Sequence, residues 1–188
     1  MRKLKRSLPG DKSTRNHHDT IEQMVRVNHA GEYGAKRIYA GQLAVLGKYP
    51  KYKDLLEHMA EQEEEHLRFF ENEIVKRKIR PTALHPLWHM AGYALGAVTA
   101  RIGPEAAMAC TVAVEDVISK HYGEQLNALT GNKKEEKLRK AIAKFKAEEE
   151  EHHDIGLEND AEMAPAYRLL SEAIKAGSRT AIKIAKRI

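Results

Sequence analysis

Two Glu-x-x-His pairs, each preceded by a further glutamate at a similar distance, restrict this chain more than any other feature. Glu63/His66 follows Glu32 by 31 residues, and Glu149/His152 follows Glu115 by 34. The two halves are offset by 83 residues at the first glutamate and by 86 at the Glu-x-x-His pair. On a helix, positions i and i+3 share a face about one turn apart, so a carboxylate and an imidazole there can grip one ion from a rigid scaffold. A single such pair is ordinarily a solvated acidic face, because helices are rich in Glu. The repeat argues otherwise. So does Glu115, which closes the apolar run Cys110-Thr111-Val112-Ala113-Val114, where a carboxylate is costly to bury unless it is paired or bound to a metal. Glu32, Glu63, His66, Glu115, Glu149 and His152 together form the ligand set of a carboxylate-bridged two-metal site in a four-helix bundle. Glu150/His153 has the same spacing as Glu149/His152, and the equal offset does not decide between them by itself. One continuous ligand face favours Glu149/His152 and leaves His153 as a supporting or surface residue.

Helical periodicity runs through the rest of the chain and nothing reads as a strand. Helices are expected from about Thr20 to Lys48, Tyr52 to Lys78, Leu84 to Arg101, Pro104 to Leu129, Glu135 to Gly156 and Ala164 to Lys186. Tyr49-Pro50, Arg80-Pro81, Gly103-Pro104 and Thr130-Gly131-Asn132 supply the breaks. The expectation is an all-α antiparallel bundle of four long helices with two accessory ones. The one cysteine, Cys110, excludes an intrachain disulfide and points to a reducing compartment.

A formal charge of +5 invites a nucleic-acid reading. Its distribution removes that reading. Residues 1–18 hold six Lys/Arg against Asp11 alone, and the remainder balances 26 basic against 26 acidic residues. A basic tail over 1–18 and a neutral domain over 19–188 give no phosphate-tracking groove, so no nucleic-acid partner is expected. Five more cations and no acid lie in the last fourteen residues. Basic ends suit an anionic membrane surface. The most apolar run, Leu84 to Ile102, is interrupted by His85, Pro86, His89 and Arg101 and makes a poor transmembrane span.

Longer motifs surround the metal-ligand pattern. Arg26-Val27-Asn28-His29-Ala30-Gly31-Glu32-Tyr33-Gly34-Ala35, with Arg37-Ile38-Tyr39-Ala40-Gly41-Gln42, resembles the opening motif of the di-iron demethoxyubiquinone hydroxylases of ubiquinone biosynthesis. Ala107–Glu115, His152–Leu157 and Asp160–Tyr167 are similar to that family's other motifs, and the likeness spans about residues 21–188. Asn28 stands where the family commonly has Asp, and His89 and Arg101 fall where apolar or small residues are usual.

The resemblance implies a ferritin-like bundle with two Fe ions. Glu32, Glu63 and His66 would serve one iron, Glu115, Glu149 and His152 the other, with Glu63 and Glu149 bridging. It puts an electron relay at His121 and Tyr122. It implies hydroxylation of the ring of a demethoxyubiquinol by O2, with NADH or the quinol as reductant. A polyprenyl quinol lives in the bilayer, so a peripheral membrane protein is expected, on the cytoplasmic face of a bacterial membrane or the matrix side of the mitochondrial inner membrane. A lipid-binding partner protein or a ubiquinone-biosynthesis complex is the expected company. Trp88–Gly96 and the basic, amphipathic sixth helix are the candidate membrane contacts; a sixth helix that packs on the core explains the same pattern equally well. Two other readings use part of this pattern: a ferritin-like iron oxidase or peroxide scavenger, and a non-catalytic module that binds quinone, lipid or a partner.

Overall fold

The computed structural model describes residues 12–187. They form six α-helices: α1 (Lys12–Leu46), α2 (Pro50–Arg77), α3 (His85–Ile102), α4 (Pro104–Ala128), α5 (Glu136–Glu158) and α6 (Tyr167–Ala185). Short 3-10 turns at Lys133–Glu135 and Ala161–Met163 complete the order, and no strand occurs among the described residues. The four long helices are α1, α2, α4 and α5, as expected, and α3 and α6 are accessory. Of the tail expected over 1–18, residues 1–11 lie outside the described residues and α1 opens at Lys12.

The breaks act as their residues dictate. Pro50 and Pro104 open α2 and α4, where the missing N–H would have had no helical partner. Lys78 ends α2 in the left-handed region (φ 56°), and its N–H returns to the Ile74 and Val75 carbonyls.

Short connections make α1–α2 and α4–α5 two hairpins. Their apolar faces form two layers. One contains Leu46, Leu56, Met59, Met108 and Val112. The other contains Val25, Phe70, Ile74, Leu138, Ile142 and Phe145. The expected ligand side chains lie between these layers.

The accessory helix α3 lies along α1, and α6 along α4. The α1–α3 contact is backbone on backbone. A Cβ on Gly96 would collide with the Ile38 carbonyl, one on Gly41 would sit 2.7 Å from the Ala97 nitrogen, and one on Gly92 would sit 2.8 Å from the Gly34 oxygen. The Gly92-x-x-x-Gly96 pair therefore serves close helix approach. The outer face of α3 leaves Leu87, Met90, Val98 and Ile102 exposed. No helix among the described residues is long and apolar enough to cross a membrane.

Candidate metal centre

Four helices deliver six ligand-type side chains to one buried point. Glu32 comes from α1, Glu63 and His66 from α2, Glu115 from α4, and Glu149 and His152 from α5; none is more than 1% exposed. They form two overlapping tetrads, Glu32/Glu63/His66/Glu149 and Glu63/Glu115/Glu149/His152. Within each, one candidate ligand atom per residue lies within 4.8 Å of the others. Glu63 and Glu149 belong to both. His66 Nδ1 is 3.4 Å from Glu32 Oε2 and 3.2 Å from Glu149 Oε1. His152 Nδ1 is 3.4 Å from both Glu63 Oε1 and Glu149 Oε2. The alternative register lies elsewhere. Glu150 is paired with Lys146 at the surface, and His153 Nδ1 faces Asp154 at 3.1 Å.

The second ring nitrogen of each histidine is held across the bundle. His66 Nε2 lies 2.9 Å from Glu148 Oε2, and His152 Nε2 lies 2.6 Å from Gln62 Oε1. Both acceptors assign the N–H to Nε2 and turn the Nδ1 lone pair inward, the usual preparation of a metal-binding imidazole. The Tyr39 hydroxyl donates to Glu115 Oε1 at 2.9 Å, and the Tyr122 hydroxyl donates to Glu32 Oε1.

After these contacts, eight buried atoms of the six residues still lack a hydrogen-bond partner: Glu32 Oε2, Glu115 Oε2, both oxygens of Glu63 and of Glu149, and Nδ1 of His66 and His152. Buried polar groups are normally satisfied, and leaving several carboxylate oxygens without partners is costly. Two cations seated in the two tetrads would satisfy all eight. Four carboxylates and two imidazoles make an oxygen and nitrogen donor set that suits iron.

Without a cation, protons must do that work. Burial and then the charge of Glu149 push the carboxyls of Glu63 and Glu115 well above the usual range. Burial disfavours a charged His66, but the carboxylates of Glu149 and Glu32, 3.2 and 3.4 Å from Nδ1, outweigh it and push the imidazole up to about 12. His152 is raised too, the Glu149 carboxylate 3.4 Å from its Nδ1 overcoming burial. Burial would raise Glu149, yet the imidazoles of His152 and His66, 3.4 and 3.2 Å away, bring it down to about 2.

Of the proposed relay pair, only Tyr122 contacts the cluster. His121 is half-buried, with Nδ1 3.8 Å from Glu124 Oε2. Gln62, Glu148 and Tyr39 escaped the sequence reading. The repeat itself carried their signal: Gln62 to Glu148 spans the same 86 residues as the Glu-x-x-His pairs, and Tyr39 to Tyr122 the same 83 as Glu32 to Glu115. Asn28 makes a buried two-way amide pair with Gln125, its Nδ2 donating at 2.8 Å and its Oδ1 accepting at 2.7 Å.

An apolar cavity of about 560 Å³ lies among α1, α3, α4 and α6. Ile38, Trp88, Leu95, Ile174 and Ile182 are among its walls. Gly31 and Val114, the chain neighbours of Glu32 and Glu115, also line it, so the cavity runs alongside the metal-ligand cluster, whose Glu32 and Glu115 side chains turn to the other face of their helices. Much of the apolar stripe of α6 faces this space.

Residues 19–185 match the family described as ubiquinone biosynthesis protein COQ7. The chain is 51% identical over 170 residues to the human NADPH-dependent 3-demethoxyubiquinone 3-hydroxylase, mitochondrial, covering 89% of this chain and 78% of that protein. It is 49% identical over 181 residues to the 3-demethoxyubiquinol 3-hydroxylase of Rhodospirillum rubrum, covering 96% and 83%. To the 5-demethoxyubiquinone hydroxylase, mitochondrial, of Saccharomyces cerevisiae it is 43% identical over 182 residues, covering 89% and 78%.

Proposed function

The chain belongs to the family of ubiquinone biosynthesis protein COQ7, and from that premise we propose that it is a di-iron monooxygenase hydroxylating the ring of a demethoxyubiquinol with O2. The observation that carries the iron reading is the pair of buried tetrads sharing Glu63 and Glu149 beside an apolar cavity. Glu32, Glu63 and His66 would hold one iron and Glu115, Glu149 and His152 the other, with Glu63 and Glu149 bridging. Two irons so held supply the activation of dioxygen.

The rest follows from the chain's own residues. The cavity takes the apolar quinol ring and its prenyl chain, and its walls keep water from the reacting carbon. Tyr39 and Tyr122 each occupy one oxygen of Glu115 and Glu32, leaving the other free for a cation. Ring hydroxylation converts one C–H to C–OH and one oxygen atom to water, which requires two electrons and two protons from outside the chain. The human relative is named as NADPH-dependent, and a nicotinamide donor or the quinol itself would supply the electrons. The sequence has no Gly-x-Gly-x-x-Gly dinucleotide fingerprint. His121 and Tyr122 lie on the electron path in this reading.

The exposed apolar residues of α3 and the cations of α6, such as Arg179 and Lys183, would rest on the membrane that holds the quinol. That is the cytoplasmic face in a bacterium or the matrix side in a mitochondrion, with a lipid-binding partner or biosynthetic complex alongside.

The test combines iron-loaded protein, a demethoxyquinol, reductant and labelled dioxygen. One labelled oxygen in the ring is expected, and Glu149→Ala should lose both iron and product. Oxygen uptake without ring labelling would favour an iron oxidase instead.

A further inference from the structure

The supports of the cluster are crossed between its halves, and their hydrogen bonds differ in one respect. Gln62, just before Glu63, holds His152; Glu148, just before Glu149, holds His66. Each half otherwise offers one unshared carboxylate steadied by a tyrosine, one imidazole and the same two shared carboxylates. Among the groups hydrogen-bonded to the six ligands, only the histidine's acceptor changes, from a neutral amide to a carboxylate.

We propose that this difference makes the two metal positions unequal, the Glu32/Glu63/His66/Glu149 position taking a divalent cation more tightly than the Glu63/Glu115/Glu149/His152 position. The inference rests on the reading of the cluster as a two-cation site. A carboxylate accepting the Nε2–H forms a charge-assisted hydrogen bond and draws the proton from the ring, which makes Nδ1 a stronger donor to a metal. An amide oxygen polarises the ring far less. Glu148 keeps this influence because its side chain is only 17% exposed. Its other oxygen lies 3.2 Å from Lys144 Nζ, but that lysine is half exposed and shared with Glu65 at 3.0 Å, so water screens its opposing charge. Phe145, with its ring centroid 4.1 Å from that of His66, fixes the imidazole plane.

The test is anaerobic titration of the metal-free full-length chain with Co(II), followed by calorimetry and visible absorption, with circular dichroism to check folding. Wild type should bind two equivalents in separated steps. Glu115→Gln, which removes a ligand only from the weaker position, should spare the first step. Glu148→Gln should weaken the first step by about 10–100-fold, the usual loss when an outer partner of a metal ligand is removed, and bring the two steps together. Gln62→Glu approaches equality from the other side by tightening the second step, and it decides the matter if Glu148→Gln fails to fold. Two equal steps in wild type, or a folded Glu148→Gln whose steps are unchanged, would overturn the inequality. A wild type that binds no cobalt would overturn the two-cation reading itself.

Discussion

Three helix-interior glycines, Gly31, Gly34 and Gly177, line the cavity, and an added Cβ at any of them would meet nothing within 4 Å. Each lowers helix stability by about 0.8–1 kcal/mol relative to alanine. The space they leave belongs to the cavity, so stability and access should trade against each other. The double variant Gly31→Ala/Gly177→Ala places one methyl on the α1 wall and one on the α6 wall. Two helix interiors relieved of glycine should stabilise the fold by about 2 kcal/mol. For a chain of this size about 1 kcal/mol moves Tm by about 2–4 °C, so a rise of about 4–8 °C is expected. Thermal unfolding by circular dichroism at fixed metal loading measures it. Quinol turnover on the same samples should show a raised KM. Gly123→Ala is the control: its Cβ would make an ordinary 3.6 Å contact with Lys146 Cε, away from the cavity. It should gain about 1 kcal/mol with unchanged kinetics. A fall in Tm for the double variant would show that the space is not free. A rise with unchanged KM would show that substrate does not pass there.

The pH dependence of stability should reverse with metal. Glu63, Glu115, His66 and His152 bind protons more tightly folded than unfolded, so the metal-free native state holds the excess protons as pH rises from about 4.5, and its stability falls. Glu149 opposes this only between about 2 and 4.5. In the loaded protein protons compete with cations for the same atoms, so stability should rise over that range; urea unfolding near pH 5.5 and 8, with and without metal, checks the crossing, and parallel trends would refute it. Arg77 forms a two-point contact with Glu135, at 3.0 and 2.6 Å, and a 2.6 Å bond to the buried Glu73. Arg77→Ala should therefore cost about 2 kcal/mol in urea unfolding, since the buried Glu73 loses its charge-assisted hydrogen bond and keeps only the exposed Lys76 at 3.7 Å, while iron content holds.

The helices were legible because proline and glycine mark their ends and apolar residues recur along their length. The six cluster residues were legible because they occur twice. The choice of Glu149 over Glu150 needed only helical phase: one residue is 100° of rotation, enough to move a side chain from the bundle axis to Lys146 at the surface. The cavity was not legible. It depends on α6, packed on α4, facing α1 and α3 across long stretches of chain, and an apolar stripe with cations between reads equally as core, membrane contact or cavity wall. Tyr39 and Gln62 look like ordinary helix residues until their counterparts, Tyr122 and Glu148, are aligned with them.

The crossed supports have a consequence for how such a chain can vary. Tyr39 reaches Glu115 while Tyr122 reaches Glu32; Gln62 reaches His152 while Glu148 reaches His66. That is the reciprocity of an isologous dimer, in which residue i meets j and j meets i. Here the two protomers are hairpins joined in one chain through α3. Two identical hairpins would have to carry the same residue at positions 62 and 148 and the same helix against both outer faces. The covalent join lifts that requirement, so α3 and α6 enclose a cavity on one side of a nearly symmetric core, and a single side-chain exchange can tell its two halves apart.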